Sequence, residues 1–275
     1  MSKVNIEVEK FKNRKLKPLY VFTYADCLYV PIKDEALISH KCAIYVIIGV
    51  DYSGHKDILG IWINKSESSS FWSAVFDDLK SRGVKDILYM SSDGIAGFKG
   101  SLELAFPKTQ SQRCVVHLTR NMQKLCPRKE MSQIIQGWKN IYTSTSIEAA
   151  EISLSDFKER FKNHKNITKK AEEFMQYLEP LFELPAEIRK AIYTTNAIES
   201  VNSALRKVTN GKGAFPNEEA VYKVLYLRIK DLKEKWAKPI SNWNTIQLQL
   251  IELFGERLSV VSVITFIFSV LSPLL

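Results

Sequence analysis

The first third of the chain alternates between long apolar runs and short polar turns. Residues 19–32, 42–54 and 57–64 are rich in aromatic and β-branched side chains, which predicts three β-strands. Because only short turns join these runs, we expect an antiparallel meander. Residues 70–82 instead repeat apolar side chains at a helical spacing, and Gly83 follows where helices often end.

Two further apolar segments and a long helical stretch follow. DILYMSSDG at residues 86–94 and SQRCVVHL at 111–118 predict a fourth and a fifth strand. Residues 120–190 are charged and helical in period, so they predict an all-α insertion. Three antiparallel strands, a helix and then strands alternating with helices is the order of a ribonuclease-H-like α/β fold. We therefore expect a mixed sheet with flanking helices, interrupted by the insertion before its last functional helix.

These patterns divide the chain into five stretches. A basic segment comes first, a sheet core follows in two parts around the helical insertion, and an apolar tail ends the sequence. The predicted bounds are 1–17, 18–119, 120–190, 191–257 and 258–275. The tail carries no charge and approaches the shortest length that spans a membrane. A membrane anchor is one interpretation of it. A buried terminal element or a non-native extension is the other, and we expect no stable membrane association.

The composition adds a polyanionic partner to this outline. The 275 residues are 45% hydrophobic, enough for a sizeable core, and carry a formal net charge of +9. A charge of this size favours nucleic acid as a partner, although a generally lysine-rich composition would give the same value. Four cysteines without a CxxC pair, and no signal-peptide pattern in the first residues, predict a cytoplasmic location.

Three acidic residues stand where a charge is unexpected. Asp26 lies in the middle of the first predicted strand, where it needs either a partner or a place at a sheet surface or bulge. Asp93 follows the fourth strand, a position that also suits a helix N-cap. Glu199 lies three residues after Asn196, as in a capping box. Each acid taken alone therefore has a purely structural interpretation.

The predicted fold places these three acids near one another. If the first and fourth strands are neighbours and the last helix packs across them, Asp26, Asp93 and Glu199 converge at one end of the sheet. Three such carboxylates repel one another unless a cation neutralises them. Carboxylate oxygens suit Mg²⁺ or Mn²⁺, and two such ions support phosphoryl transfer. We therefore expect a site for two divalent ions that acts on a nucleic acid.

A second cluster begins in the fifth predicted strand. Cys114 and His117 have the spacing of half a zinc site, with Cys126 as a third ligand. Alternatively, His117 acts with Arg120 and Asn121 to contact a phosphate or to orient an active-site carboxylate. A structural histidine at a helix start explains the same residues, so three interpretations stay open.

At these residues the chain resembles the mutator-type transposases of bacterial insertion sequences. The resemblance covers most of the chain, and its ordered motifs include YADCLYVPIKDE (24–35), SSDGIAGF (91–98), FPKTQSQRCVVHLTRN (106–121) and IRKAIYTTNAIESVNSALRK (188–207). It implies that Asp26, Asp93 and Glu199 are the catalytic, metal-binding triad. It also implies that Cys114 and His117 belong to the motif that follows the second acid.

The resemblance further implies an activity and its partners. The chain would be a DNA transposase core that nicks strands at the ends of an insertion sequence and joins the 3′-hydroxyl to target DNA. Its partners would be the terminal inverted repeats, target DNA and a second copy of the chain. Candidates for contacts with DNA phosphates are Arg120, Arg206, Lys207 and Lys212.

The resemblance also implies a region that this sequence does not match. Relatives carry an N-terminal DNA-recognition region, which the basic segment 1–17 is too short to replace. We therefore expect a truncated copy. The alternative function is a non-catalytic remnant that binds DNA or full-length transposase.

Overall fold

The computed structural model describes residues 3–65, 68–94, 97–193, 196–211 and 213–271, with 196–199 and 259–271 described by their backbone only. The chain forms two compact units. The first unit combines Met1–Ser111 with Asn196–Leu275, and the second is Gln112–Thr195. The predicted insertion 120–190 falls within the second unit.

The elements up to the second unit are mostly strands. In chain order they are α1 (Lys3–Asn13), β1 (Leu19–Lys33), β2 (Ser39–Asp51), β3 (Lys56–Asn64), α2 (Ser69–Ser81), β4 (Asp86–Ser92), α3 (Phe98–Ala105) and β5 (Gln110–Arg113). Every described element after β5 is a helix. In the second unit these are α4 (Val115–Gln123), α5 (Met131–Tyr142), α6 (Ile147–Arg160), α7 (Lys165–Phe182) and α8 (Ala186–Tyr193). The first unit then resumes with α9 (Asn196–Thr209), α10 (Glu218–Lys235) and α11 (Trp243–Leu271).

The five strands form one mixed sheet in the order β3-β2-β1-β4-β5. β1 pairs antiparallel with β2, and β2 pairs antiparallel with β3. This confirms the predicted meander. β4 runs parallel to β1 and beside it, so the predicted first and fourth strands are neighbours. The Thr23 hydroxyl on β1 adds a side-chain bond between these two strands, donating to the Tyr89 carbonyl at 3.1 Å.

The fifth predicted strand is partly wrong. It ends at Arg113, and α4 begins at Val115 instead of the strand continuing to residue 118. The β-branched run VVHL favours a strand locally. However, Val115, Leu118 and Met122 are all buried on one side of α4. This i, i+3, i+7 spacing is helical, so burial of that stripe outweighs the local preference.

An aromatic core fills the space between the sheet and helices α2 and α3. Trp72 of α2 is fully buried, and its ring centroid lies 5.2 Å from that of Tyr45 on β2. Phe98 of α3 contacts both Trp72 and Phe76, with centroids 4.7 and 5.5 Å apart in T-shaped arrangements. These edge-to-face contacts are the favoured geometry for aromatic rings, so they fix both helices on this face of the sheet.

The second unit is a helical bundle with its own core. Trp138 of α5 is fully buried and donates from Nε1 to the Thr119 hydroxyl of α4 at 2.9 Å. Arg189 of α8 is also buried, and its guanidinium donates to the carbonyls of Ser144 and Thr145 at 3.1 and 3.0 Å. Because buried polar groups are costly without partners, these bonds tie α4 to α5, and α8 to the turn after α5.

The last helix of the first unit is anchored by one arginine. Arg257 of α11 donates to both carboxylate oxygens of Asp86, at 2.9 and 2.7 Å, and to the carbonyl of Lys108 at 2.8 Å. Such a two-point contact fixes both distance and orientation.

Among the described residues, no helix combines the length and the apolar content that crossing a membrane requires.

The aromatic core gives a stability prediction. Phe98 is 1% exposed, whereas Leu104, on the same helix, is 84% exposed. We expect Phe98→Ala to lower the free energy of unfolding by about 3–5 kcal/mol, because it removes buried apolar area and leaves a cavity. Leu104→Ala should change it by less than about 0.5 kcal/mol. Urea unfolding of both variants measures the difference, and equal losses would contradict the core described above.

Candidate functional site

The register of β1 on β4 places two of the predicted acids at the same end of the sheet. The paired residues run from Leu19 opposite Asp86 to Tyr24 opposite Ser91. Asp26 and Asp93 each lie two residues beyond that last pair, so they keep the same register. Because the two strands are parallel, their chains leave the pairing in the same direction. The two acids therefore lie on the same side of the last β1–β4 pair, each at the same distance from it along its chain.

Asp26 is buried within the sheet, at 4% exposure. Its neighbour Ala25 belongs to the core cluster under α2 and α3. Since successive strand residues point to opposite faces, Asp26 faces the other side of the sheet, where α9 packs on β1. Its Oδ1 accepts a hydrogen bond from the Cys27 backbone N–H at 2.7 Å. The alternative interpretation of Asp26, a position at a sheet surface or bulge, is therefore wrong.

The other oxygen of Asp26 contacts a residue that the sequence patterns did not single out. The Asn202 side-chain Nδ2 of α9 donates to Asp26 Oδ2. Asn202 is 0% exposed, and its own Oδ1 is buried without a hydrogen-bond partner among the described residues. A signal existed in the sequence, because Asn202 interrupts the predicted apolar stripe between Val201 and Leu205, which are both buried.

Asp93 lies just beyond β4 and is half-buried. The two residues before it, Ser91 and Ser92, are buried at the end of the strand. The alternative role of Asp93 as a helix N-cap is wrong. The helix that follows is α3, and its N-cap is Gly97, in the left-handed conformation at φ 74°.

Glu199 belongs to α9, one helical turn before Asn202. Its side chain and that of Asn196 lie outside the described residues, so the predicted capping box and triad role stay predictions. Lys212 also lies outside them. Among the residues whose side chains are described, no group of three or more His, Cys, Asp or Glu could hold a metal ion.

Helix α9 is tied to β1 again beyond its own end. Phe215 forms a parallel bridge with Ile32 of β1. Its N–H donates to the Pro31 carbonyl at 2.8 Å, and its carbonyl accepts from the Lys33 N–H at 2.8 Å. Together with the Asn202 contact, this bridge holds the helix to the strand at two separated points.

The last turn of α9 carries two of the predicted DNA contacts. Arg206 is half-buried and Lys207 is exposed. Cations at this position are also favoured by the partial negative charge at a helix C-terminus. Their location therefore fits both a phosphate contact and a solvated helix end.

The Cys114 motif begins a helix in the second unit. Cys114 is buried and is the N-cap residue of α4. Arg120 Nη1 lies 3.4 Å from His117 Nε2, and the Asn121 side-chain oxygen accepts from Lys124 Nζ at 3.1 Å. The motif thus forms one local cluster on consecutive turns of this helix.

The zinc interpretation finds little support at Cys126. Its thiol donates to the Met122 carbonyl at 3.2 Å, and burial raises the pKa of the Cys126 thiol. Both effects favour the protonated form, whereas a zinc ligand is a thiolate. None of the four cysteines, Cys27, Cys42, Cys114 and Cys126, forms a disulfide bond.

This environment gives a metal prediction for the second unit. We expect the purified chain to carry no stoichiometric zinc. Cys126→Ser should shift the free energy of unfolding by less than about 1 kcal/mol, because a hydroxyl can make the same donation to the Met122 carbonyl. Elemental analysis and urea unfolding test both statements. One zinc ion per chain, lost in the Cys126→Ser variant, would show that the thiol is a metal ligand.

Comparison with known proteins identifies the class. The model of the family described as "Transposase, Mutator family" matches residues 1–239. The chain therefore belongs to the Mutator family of transposases, which confirms the resemblance seen in the motifs. The sequence is 36% identical over 252 residues to the probable transposase for insertion sequence element ISRM3-like of Sinorhizobium fredii, covering 91% of this chain and 63% of that protein.

Two other relatives extend the comparison. The probable transposase for an insertion sequence element of Corynebacterium diphtheriae is 34% identical over 233 residues, which is 84% of this chain and 68% of that protein. The transposase for insertion sequence element IS905 of Lactococcus lactis is 29% identical over 233 residues, 85% of this chain and 59% of that protein. The chain thus spans less than two thirds of the length of several curated relatives.

Proposed function

We propose that this chain is a DNA transposase core that nicks DNA at the ends of an insertion sequence and transfers the freed 3′-hydroxyl to target DNA. The observation that carries the proposal is the buried Asp26, which is bonded by α9, the helix that contains Glu199, and lies as far past the last β1–β4 pair as Asp93 does. The relatives are insertion-sequence transposases by name, which supports this reaction class.

The architecture is consistent with a ribonuclease-H-like catalytic sheet, which we include in the proposal. A three-stranded antiparallel meander is followed by a strand parallel to β1 and next to it. A helix far along the chain then packs on that first strand. In this arrangement the triad would be drawn from β1, from the end of β4 and from α9, so that three distant segments supply one site.

The donor chemistry at Asp26 fits a divalent ion such as Mg²⁺ or Mn²⁺. Asp26 supplies a buried carboxylate, and the unpaired Asn202 Oδ1 lies on the amide that bonds it. Hard oxygen donors of this kind suit these ions. Asp26, Asp93 and Glu199 would hold two of them, and the ions would supply Lewis-acid activation of the attacking and leaving oxygens. The chain itself orients the carboxylates and keeps the Asp26 side of the site dry.

DNA as partner is supported by charge. Lysine and arginine number 39 against 30 aspartate and glutamate residues, which favours binding to a polyanion. Arg206, Lys207 and Lys212 would contact backbone phosphates near the end of α9, and Arg120 would do so in the second unit. The inverted repeats, a homodimeric assembly and a cytoplasmic setting belong to the proposal as well.

The triad assignment predicts loss of cleavage on substitution. We expect Glu199→Gln to reduce nicking and strand transfer by more than about 100-fold, since losing a metal ligand costs more than losing its hydrogen-bonded support. The assay uses DNA carrying the element's ends with Mg²⁺ or Mn²⁺. Glu103→Gln is the matched control, because Glu103 is an exposed acid on α3; its activity should equal that of the parent.

The outcomes separate the alternatives. Equal activity of Glu199→Gln and the parent would remove Glu199 from the triad and leave it as a helix cap. A parent and variant that are both inactive yet bind DNA would favour the non-catalytic remnant. Unchanged thermal unfolding in the variant is required before a loss of cleavage is assigned to the site.

The phosphate contacts predict a change in salt dependence. We expect Lys207→Ala to weaken DNA binding similarly for all sequences and to lower the slope of log affinity against log salt by about one. Lys99→Ala is the control, because this exposed lysine lies on α3, across the sheet from α9. Binding measured by fluorescence anisotropy from low to high salt tests this. Identical slopes for both variants would mean that Lys207 is only a solvated helix end.

A further inference from the structure

Asn202 is an amide where the packing calls for an apolar side chain. It lies in α9 between the buried residues Val201 and Leu205, on the side of the helix that packs on β1. Burying an amide is costly unless it makes hydrogen bonds. A purely packing role would be met more favourably by leucine, so the amide has a reason beyond filling space.

The Asn202 amide is explained by its hydrogen bond to the Asp26 carboxylate. Asn202 Nδ2 donates to Asp26 Oδ2, while Asp26 Oδ1 accepts from the Cys27 backbone N–H. One bond to each oxygen fixes the plane of the carboxylate. An ionised carboxylate oxygen has about two lone-pair sites, so neither bond by itself saturates its oxygen. The two bonds therefore orient Asp26.

The partner of Asp26 is a neutral amide and not a cation, which matters for metal binding. A lysine or arginine at position 202 would also satisfy the Asp26 carboxylate, but its charge would repel a cation approaching the same oxygens. An amide holds the carboxylate and adds no charge. Its second polar atom, Oδ1, is buried and without a partner among the described residues. An unpaired buried acceptor is uncommon in proteins and calls for an explanation. A donor such as a metal-bound water would satisfy it.

We infer that Asn202 is the positioning residue of Asp26, an amide that orients this carboxylate for a divalent ion. The inference rests on the proposed function and deepens it, because it adds to the site a residue that supports a ligand. It also gives a reason for the attachment of α9 to β1: the helix carries both Glu199 and the group that orients the first acid.

The test compares Mn²⁺ affinity and thermal stability in the full chain, without DNA. Asn202→Leu keeps the approximate volume and removes the donor. Thr209→Val is the matched control, because Thr209 is a buried polar residue of the same helix whose hydroxyl donates to helix carbonyls alone among the residues that the structure describes. Calorimetric titration with Mn²⁺, below the unfolding temperature of each variant, gives the affinity. Unfolding without metal gives the structural effect.

We expect Asn202→Leu to weaken Mn²⁺ binding by about 10-fold or more, as for other groups that support a metal ligand, and Thr209→Val to leave it unchanged. If Asn202→Leu does not fold, Asn202→Ala removes the amide without adding bulk and carries the same expectation. A folded Asn202 variant whose Mn²⁺ affinity is within about two-fold of the parent would overturn the inference. A role in stability alone would give that result, lowering only the unfolding temperature.

The binding readout also separates this inference from the proposed function. A parent that binds Mn²⁺ but never cuts DNA would overturn the proposed function, and the Asn202 result would still decide the inference. A parent that binds no Mn²⁺ would overturn both the metal site and the role of Asn202.

Discussion

The parallel pairing of β1 with β4 is the constraint on which the rest of the site depends. It aligns Leu19 with Asp86 and continues to Tyr24 and Ser91. This register places Asp26 and Asp93 each two residues past the last β1–β4 pair, in the same direction along the two strands. A shift of one residue would turn Asp26 toward the aromatic core. That core resists such a shift because Trp72 and its neighbours already fill the space on that face.

The second constraint is the attachment of α9 to β1. A hydrogen bond from a buried amide and a backbone bridge after the helix act at separate points along the strand. Together they limit both the sliding and the rotation of the helix. A site assembled from distant segments needs such fixing, because displacements of a fraction of an ångström weaken metal and substrate positioning. Here the Asn202–Asp26 hydrogen bond of the candidate site is also one of the contacts that hold α9 on β1.

The candidate functional residues are distributed unevenly between the two units. The sheet unit contains the carboxylates, whereas the helical unit contains the Cys114 motif and packs around its own core of Trp138 and surrounding apolar residues. Within that motif Arg120 contacts His117, and the nearby Cys126 thiol donates to the Met122 carbonyl. The helical unit therefore has a packed apolar core of its own.

The sequence by itself determined the strands of the meander, the helix after it and the positions of the three acids, because periodicity and turn residues are local signals. It also determined the family, through motifs that are contiguous in the chain. It failed at residues 115–118, where a β-branched run is helical because its buried stripe has helical spacing. Only the tertiary structure decided which face of the sheet Asp26 occupies and that Asn202, 176 positions away, bonds it. The physical reason is that the local pattern of apolar residues determines the periodicity of buried positions. The packing of elements distant in sequence determines which side chains contact one another at those positions.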